Sequence, residues 1–218
     1  MSFSLFFEGL LQTLYMVGVS TVLAYLIGLP LGVLLTVTGR NGLMPHRLLN
    51  VVLGFVINIL RSIPFVILLV ALIPFTRFIV GTSLGSTATI VPLVIGSAPF
   101  VARMVESSLK EVDSGVVEAA RSMGASNFQI ICKVLIPEAK PQLLLGSAIA
   151  AVTILGYSTM AGFVGGGGLG TIAINYGYHR YDTETMLITV ALLVVIVQII
   201  QEAGLRLVNR IDKRKRNT

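Results

Sequence analysis

The chain has 218 residues, of which 55% are hydrophobic and 12% charged, about half the charged share of soluble domains. That balance argues against a water-soluble domain and makes a membrane the expected solvent. The net charge of +6 does not indicate nucleic acid, because the basic residues gather between apolar runs and near the C-terminus, and a single cysteine, Cys132, excludes an intrachain disulfide or a paired-cysteine metal site.

A helical crossing needs about 20 mostly apolar residues. The opening "MSFSLFFEGL" has no basic residue and no small-residue cleavage site, so it is not read as a signal peptide. The first span is predicted over about 11–37, with Gly28, Pro30 and Gly32 as kink points. The apolar stretch 48–80 is too long for one straight crossing and contains Arg61. An arginine at mid-bilayer costs about 2.5–3.5 kcal/mol on insertion scales. The second span is therefore placed over about 55–75, with Arg61 near its inner end. A third is expected over about 78–101, a fourth over about 144–164 and a fifth over about 186–205. The expected fold class is an all-α membrane protein, one transmembrane domain over 1–218 with five crossings.

Orientation follows from the cations. Arg40 and Arg47 lie between spans one and two, Arg103, Lys110, Arg121, Lys133 and Lys140 between three and four, and Arg206, Arg210, Lys213, Arg214, Lys215 and Arg216 after span five. Opposed to them are Arg77 and Arg180. The positive-inside rule puts the N-terminus outside and the C-terminus in the cytoplasm.

The cytoplasmic connection of about 106–140 is polar and patterned. Asp113 or Ser114 can cap a helix from Gly115 to Met123, with Val116, Ala119, Ala120 and Met123 at helical spacing and Glu118 placed to pair with Arg121. Gly124 supplies the left-handed residue that ends it. Ser126 and Gln129 form a capping box opening a second helix, with Phe128, Ile131 and Leu135 on one side and Pro137 as its stop. Three readings compete for this pair of short helices. A helix-turn-helix reader of DNA has little room to dock between two membrane spans. An interfacial element would need only the apolar faces. A docking knob for a cytoplasmic partner is the third.

Glu118-Ala119-Ala120, Gly124 and the closing "VLIP" resemble the EAA motif, EAA-x3-G-x9-I-x-L-P, of binding-protein-dependent ABC importer permeases, with Val134 and Ile136 as mild apolar departures. In that family the loop is a coupling helix seated on a separate ATPase. The resemblance implies a type I ABC importer fold, ATPase docking through Glu118, Ala119, Ala120, Arg121, Gly124, Ala125 and Ser126, and a homodimer in the bacterial inner membrane served by an extracytoplasmic binding protein. ATP and Mg would be held by the ATPase, with no cofactor in this chain. "NILRSIPFVILLVALIPFTRFIVGTSLG", "VPLVIGSAPFVARMVESSLKEV" and "GYSTMAGFVGGGGLG" are similar to methionine-importer permeases, and the substrate assignment rests on that similarity alone. A permease for another amino acid, or a membrane scaffold, is the alternative.

The remaining chemistry is sparse. Gly165, Gly167 and Gly170 spell G-x-G-x-x-G, but after an apolar helix rather than a strand, so the segment reads as close packing. No enzyme is expected. The spans offer no mid-depth carboxylate for ion coupling, and Glu106 reads as the partner of Arg103 three residues earlier. Asn58, Arg61, Tyr157, Ser158 and Met160 are the candidate path or gate residues. Met160 either fills an ordinary packing gap or closes the path on a dimer axis, and Asn58 and Arg61 either line that path or satisfy backbone groups at a break before Pro64.

Overall fold

The computed structural model of the protein describes residues 3–211, and every regular element among them is helical. Lys213, Arg214, Lys215 and Arg216 lie outside the described residues.

Helix α1, Phe3–Thr38, runs unbroken through Pro30. The two glycines expected to kink it are spent on packing against α5, Ser86–Lys110. A Cβ on Gly28 would stand 2.7 Å from the Val101 side chain, and one on Gly32 would stand 2.6 Å from the Ala102 carbonyl oxygen. Small residues four apart let two apolar helices bring their backbones together, which is how helices associate where lipid removes the hydrophobic drive.

The second apolar stretch forms α2, Arg47–Ser62, α3, Phe65–Ala71, and α4, Ile73–Val80. The axis bends by 98° between α2 and α3. Pro64 has no N–H to continue the ladder and drives Ile63 out of the helical region, so the helix ends there. The third span, expected over about 78–101, overlaps α5 but is displaced toward the C-terminus. Gly81, at φ +84, donates its N–H to the Arg77 carbonyl and closes α4, and α5 begins only at Ser86.

After α6, Ser114–Ser122, the chain enters α7, Asn127–Ile130, and here the structure departs again from the sequence reading. Pro137 does not stop the second short helix. Residues 127–164 form one helical path, in which α7 leads through a π-helical turn at 131–135 into α8, Ile136–Met160. A proline clashes with the carbonyl four residues back, and a widened turn just ahead of it takes up the misfit. Beyond α8 come α9, Gly168–Ile172, and α10, Thr183–Ile211.

Among the described residues α1, α5, the 127–164 path and α10 are each long and apolar enough to cross a membrane, which makes four, or five if the bent α2–α3 pair is counted as one span. Two-thirds of the apolar window of α5 is covered within the chain (67%) against 17% for α10. α5 is therefore a core helix, and α10 offers its apolar surface to lipid or another subunit.

The chain forms two compact units. One comprises residues 3–24, 63–97 and 148–203. In it the glycine-rich run folds onto α1, where the Gly168 N–H donates to Gln12 Oε1 at 2.7 Å and the Leu169 N–H to Thr13 Oγ1 at 2.9 Å. The other comprises 25–62, 98–147 and 204–211 of the described residues, and it holds the patterned loop.

Candidate functional site

The patterned loop is shaped by local hydrogen bonds. Asp113 caps α6, its Oδ1 accepting from the Gly115 N–H at 2.7 Å. The far end is closed by a Schellman pair: the Gly124 N–H donates to the Arg121 carbonyl at 3.0 Å and the Ala125 N–H to the Ala120 carbonyl at 3.1 Å. That geometry holds Gly124 at φ +81. Ser126 then opens α7 with a complete capping box, its N–H donating to Gln129 Oε1 at 2.8 Å and its Oγ accepting from the Gln129 N–H at 3.3 Å. A cap, a Schellman turn and a second cap within seventeen residues leave this segment little freedom.

The apolar face expected of α6 is only partly covered. Ala120 is buried, but Val116 and Met123 are exposed, and Met123 is 81% accessible. Across the turn Phe128 is 74% accessible, while Ile130 anchors α7 in the interior. A rigid tip carrying an uncovered methionine and an uncovered phenylalanine is what a partner's groove would cover. Glu118, Ala119, Arg121, Gly124 and Ser126 are exposed on the same segment and Ala125 is half-buried. Glu118 and Arg121 do not pair with each other. Both instead line a cavity of about 550 Å³ beside α6, together with Arg40, Glu106 and Lys110.

The candidate path residues fall into two groups. Asn58 and Arg61 are exposed on the last turns of α2, just ahead of the bend. Tyr157, Ser158 and Met160 end α8. The Tyr157 ring stacks on Phe65 with centroids 4.3 Å apart and planes within 4°. Ser158 is buried and donates its hydroxyl to the Leu155 carbonyl at 2.8 Å, whereas Met160 is 41% accessible.

One expected pair forms, within a wider set of contacts that sequence reasoning missed. Glu106 accepts from Arg103 at 2.6 Å, as its spacing suggests, and also from Lys110 at 2.6 Å. The same Arg103 reaches α2, donating to the Gly54 carbonyl at 3.1 Å and to Asn58 Oδ1 at 2.9 Å. Met123 and Phe128 are further residues of the exposed tip. Their signal in the sequence was that each is a large apolar side chain next to a turn residue, where burial within the chain is hardest to arrange.

An all-helical chain with four or five apolar spans and a rigid, uncovered helix pair between two of them has the build of a membrane transport subunit. The chain belongs to the family of binding-protein-dependent transport system inner membrane components, whose model matches residues 28–217. It is 56% identical over 203 residues to the probable D-methionine transport system permease protein MetI of Vibrio cholerae, covering 93% of this chain and 90% of that protein. The methionine import system permease protein MetP of Bacillus subtilis is 47% identical over 181 residues, 83% of this chain and 82% of that one. A solved structure of inward facing conformations of the MetNI methionine ABC transporter matches with a TM-score of 0.96 at 48% identity, over 98% of this chain and 100% of the other. The architecture is the type I ABC importer fold.

Proposed function

We propose that this chain is the membrane-spanning subunit of an ATP-driven methionine importer, working as a homodimer with a cytoplasmic ATPase and an extracytoplasmic binding protein. The observation that carries the reading is the exposed, doubly capped helix pair at 113–130, whose tip leaves Met123 and Phe128 uncovered. The substrate follows from relatives at 47–56% identity that are named for methionine transport. In this reading Glu118, Ala119, Ala120, Arg121, Gly124, Ala125 and Ser126, with Met123 and Phe128, enter a cleft on the ATPase. ATP and Mg act there, and this chain supplies no hydrolytic site. Rigidity matters, because a docked element transmits a partner's movement only if it does not bend itself. The surplus of lysine and arginine on the loop side sets the N-terminus outside and the loop and C-terminus in the cytoplasm.

Asn58 and Arg61 on the broken helix, and Met160 at the end of α8, are the residues proposed to meet the substrate path. Tyr157 and Ser158 hold their positions through the Phe65 stack and the Leu155 carbonyl. The test is uptake of labelled methionine by proteoliposomes holding this chain with its ATPase and binding protein, with and without ATP and with other amino acids as competitors. ATP-dependent uptake competed best by methionine is expected. Uptake competed better by another amino acid would replace the substrate, and failure of an ATPase to co-purify would leave a membrane scaffold.

A further inference from the structure

α2 is held to the rest of its unit by few contacts. Of its sixteen residues only Ile57 is buried, and Leu48, Val51, Val52 and Phe55 are each more than half accessible. The apolar attachment is a small cluster of Leu35, Ile57 and Ala102, with Leu31 and Leu53 packed against it. An arm so lightly packed takes its position from whatever polar contacts it makes.

Those contacts lie at two places: near the start of α2, Asn50 Nδ2 donates to the Leu35 carbonyl at 2.7 Å and to Thr38 Oγ1 at 3.1 Å, and the second half of the helix is held by Arg103. Its guanidinium spans from α5 to two points on α2 one turn apart, the Gly54 carbonyl at 3.1 Å and Asn58 Oδ1 at 2.9 Å, while its other terminal nitrogen donates to Glu106 at 2.6 Å. Gly54 makes room for it, since a Cβ there would stand 3.3 Å from Arg103 Nη2. Glu106 is in turn held by Lys110, the last residue of α5, three residues before the Asp113 cap of α6. A chain of hydrogen bonds, none longer than 3.1 Å, thus joins Asn58, exposed on α2, to the end of the helix that leads into the docking segment.

We propose that Arg103 is a positioning residue that locks α2 to α5, so that movement received at α6 carries Asn58 and Arg61 with it. This rests on the importer reading above. Only arginine can fill the role. Its planar fork serves a carboxylate and a second helix at once, while a lysine ammonium is a single point that must choose between them. With lysine the charge and the Glu106 pair survive, but the grip on α2 does not.

The experiment uses the complete reconstituted complex. Arg103→Lys is predicted to keep membrane abundance, co-purified ATPase and ATP hydrolysis stimulated by substrate-loaded binding protein. The ATP consumed per methionine imported should rise about tenfold, the equivalent of one charge-assisted hydrogen bond. Asn58→Ala removes the other end of the same grip. It should raise the ratio in the same direction, and the double variant should be no worse than the poorer single one, because both remove one interaction. An unchanged ratio in Arg103→Lys overturns the inference. So does a double variant whose effects add, or a fall in all activities in proportion to lost protein, which marks a purely structural role. These outcomes are distinct from failure of the importer reading, in which the unmodified complex itself would not import.

Discussion

Replacing Gly124 by valine separates backbone strain from packing unusually well. A Cβ built on Gly124 meets nothing within 4 Å, so the substitution creates no clash inside the chain. What it meets is φ +81. A non-glycine residue in the left-handed region costs about 1–2 kcal/mol, with β-branching at the upper end. Relieving that strain by turning φ negative breaks the two Schellman hydrogen bonds, Gly124 N–H to Arg121 and Ala125 N–H to Ala120, and frees α6 from its angle to α7. At a factor of ten per 1.4 kcal/mol, the docking geometry becomes roughly 5–30-fold rarer. Membrane abundance, co-purified ATPase and methionine uptake are to be measured on the same preparations. Gly124→Val should leave abundance unchanged and lower the other two by about that factor, whereas Gly124→Asn, which tolerates the left-handed region, should stay near the unmodified protein. Normal uptake by the valine variant would reduce the knob to a membrane-surface anchor. An asparagine variant as poor as valine would show that any side chain there obstructs the partner and that φ is not the cause.

Orientation is open to thiol labelling: cysteine at Thr82 should react with an impermeant reagent added outside intact cells, whereas the exposed native Cys132 should react only after lysis, and the reverse pattern would invert the topology. If Met160 closes the path on a dimer axis, Met160→Ala should raise ATP hydrolysis that is not matched by uptake and Met160→Cys should crosslink two copies; with assembly intact and neither effect seen, Met160 is a packing residue. Asp182 caps α10, accepting from the Thr185 hydroxyl at 2.7 Å and the Thr185 N–H at 3.0 Å, and these bonds, the hydroxyl first, hold its carboxyl below the usual carboxylate range. A lowered folded pKa means that the cap is at full strength above the unfolded value of ~3.9 and is lost only as pH falls through the lower folded one. The protection of the Thr185 amide, its exchange rate taken relative to the intrinsic rate at each pH, should therefore be constant from neutral pH down to about 4 and fall below it, while Asp182→Ala should lower it at neutral pH; equal protection in the alanine variant at neutral pH would show that Asp182 does not cap α10.

The features legible in the sequence are those set within a few residues. The Asp113 cap, the Ser126–Gln129 box, the left-handed Gly124 and the Arg103–Glu106 pair each join groups no more than four positions apart, so residue type and spacing are enough to specify them. The helical class and the membrane are equally local, following from long apolar runs in which only a helix satisfies its own backbone. Pro64 marked a break for the same reason, though not its size.

Tertiary structure decided the rest. It set the 98° bend between α2 and α3, the continuation of the helical path through Pro137, and the use of Gly28 and Gly32 as contact points with α5 instead of hinges. It also chose Gly54 and Asn58, 49 and 45 positions away, as the partners of Arg103, and left Met123 and Phe128 outside. In a soluble helix the contrast between apolar and polar faces announces which side packs. In a membrane chain the face against lipid is as apolar as the face against protein, so the pattern loses that information and only the packed structure supplies it.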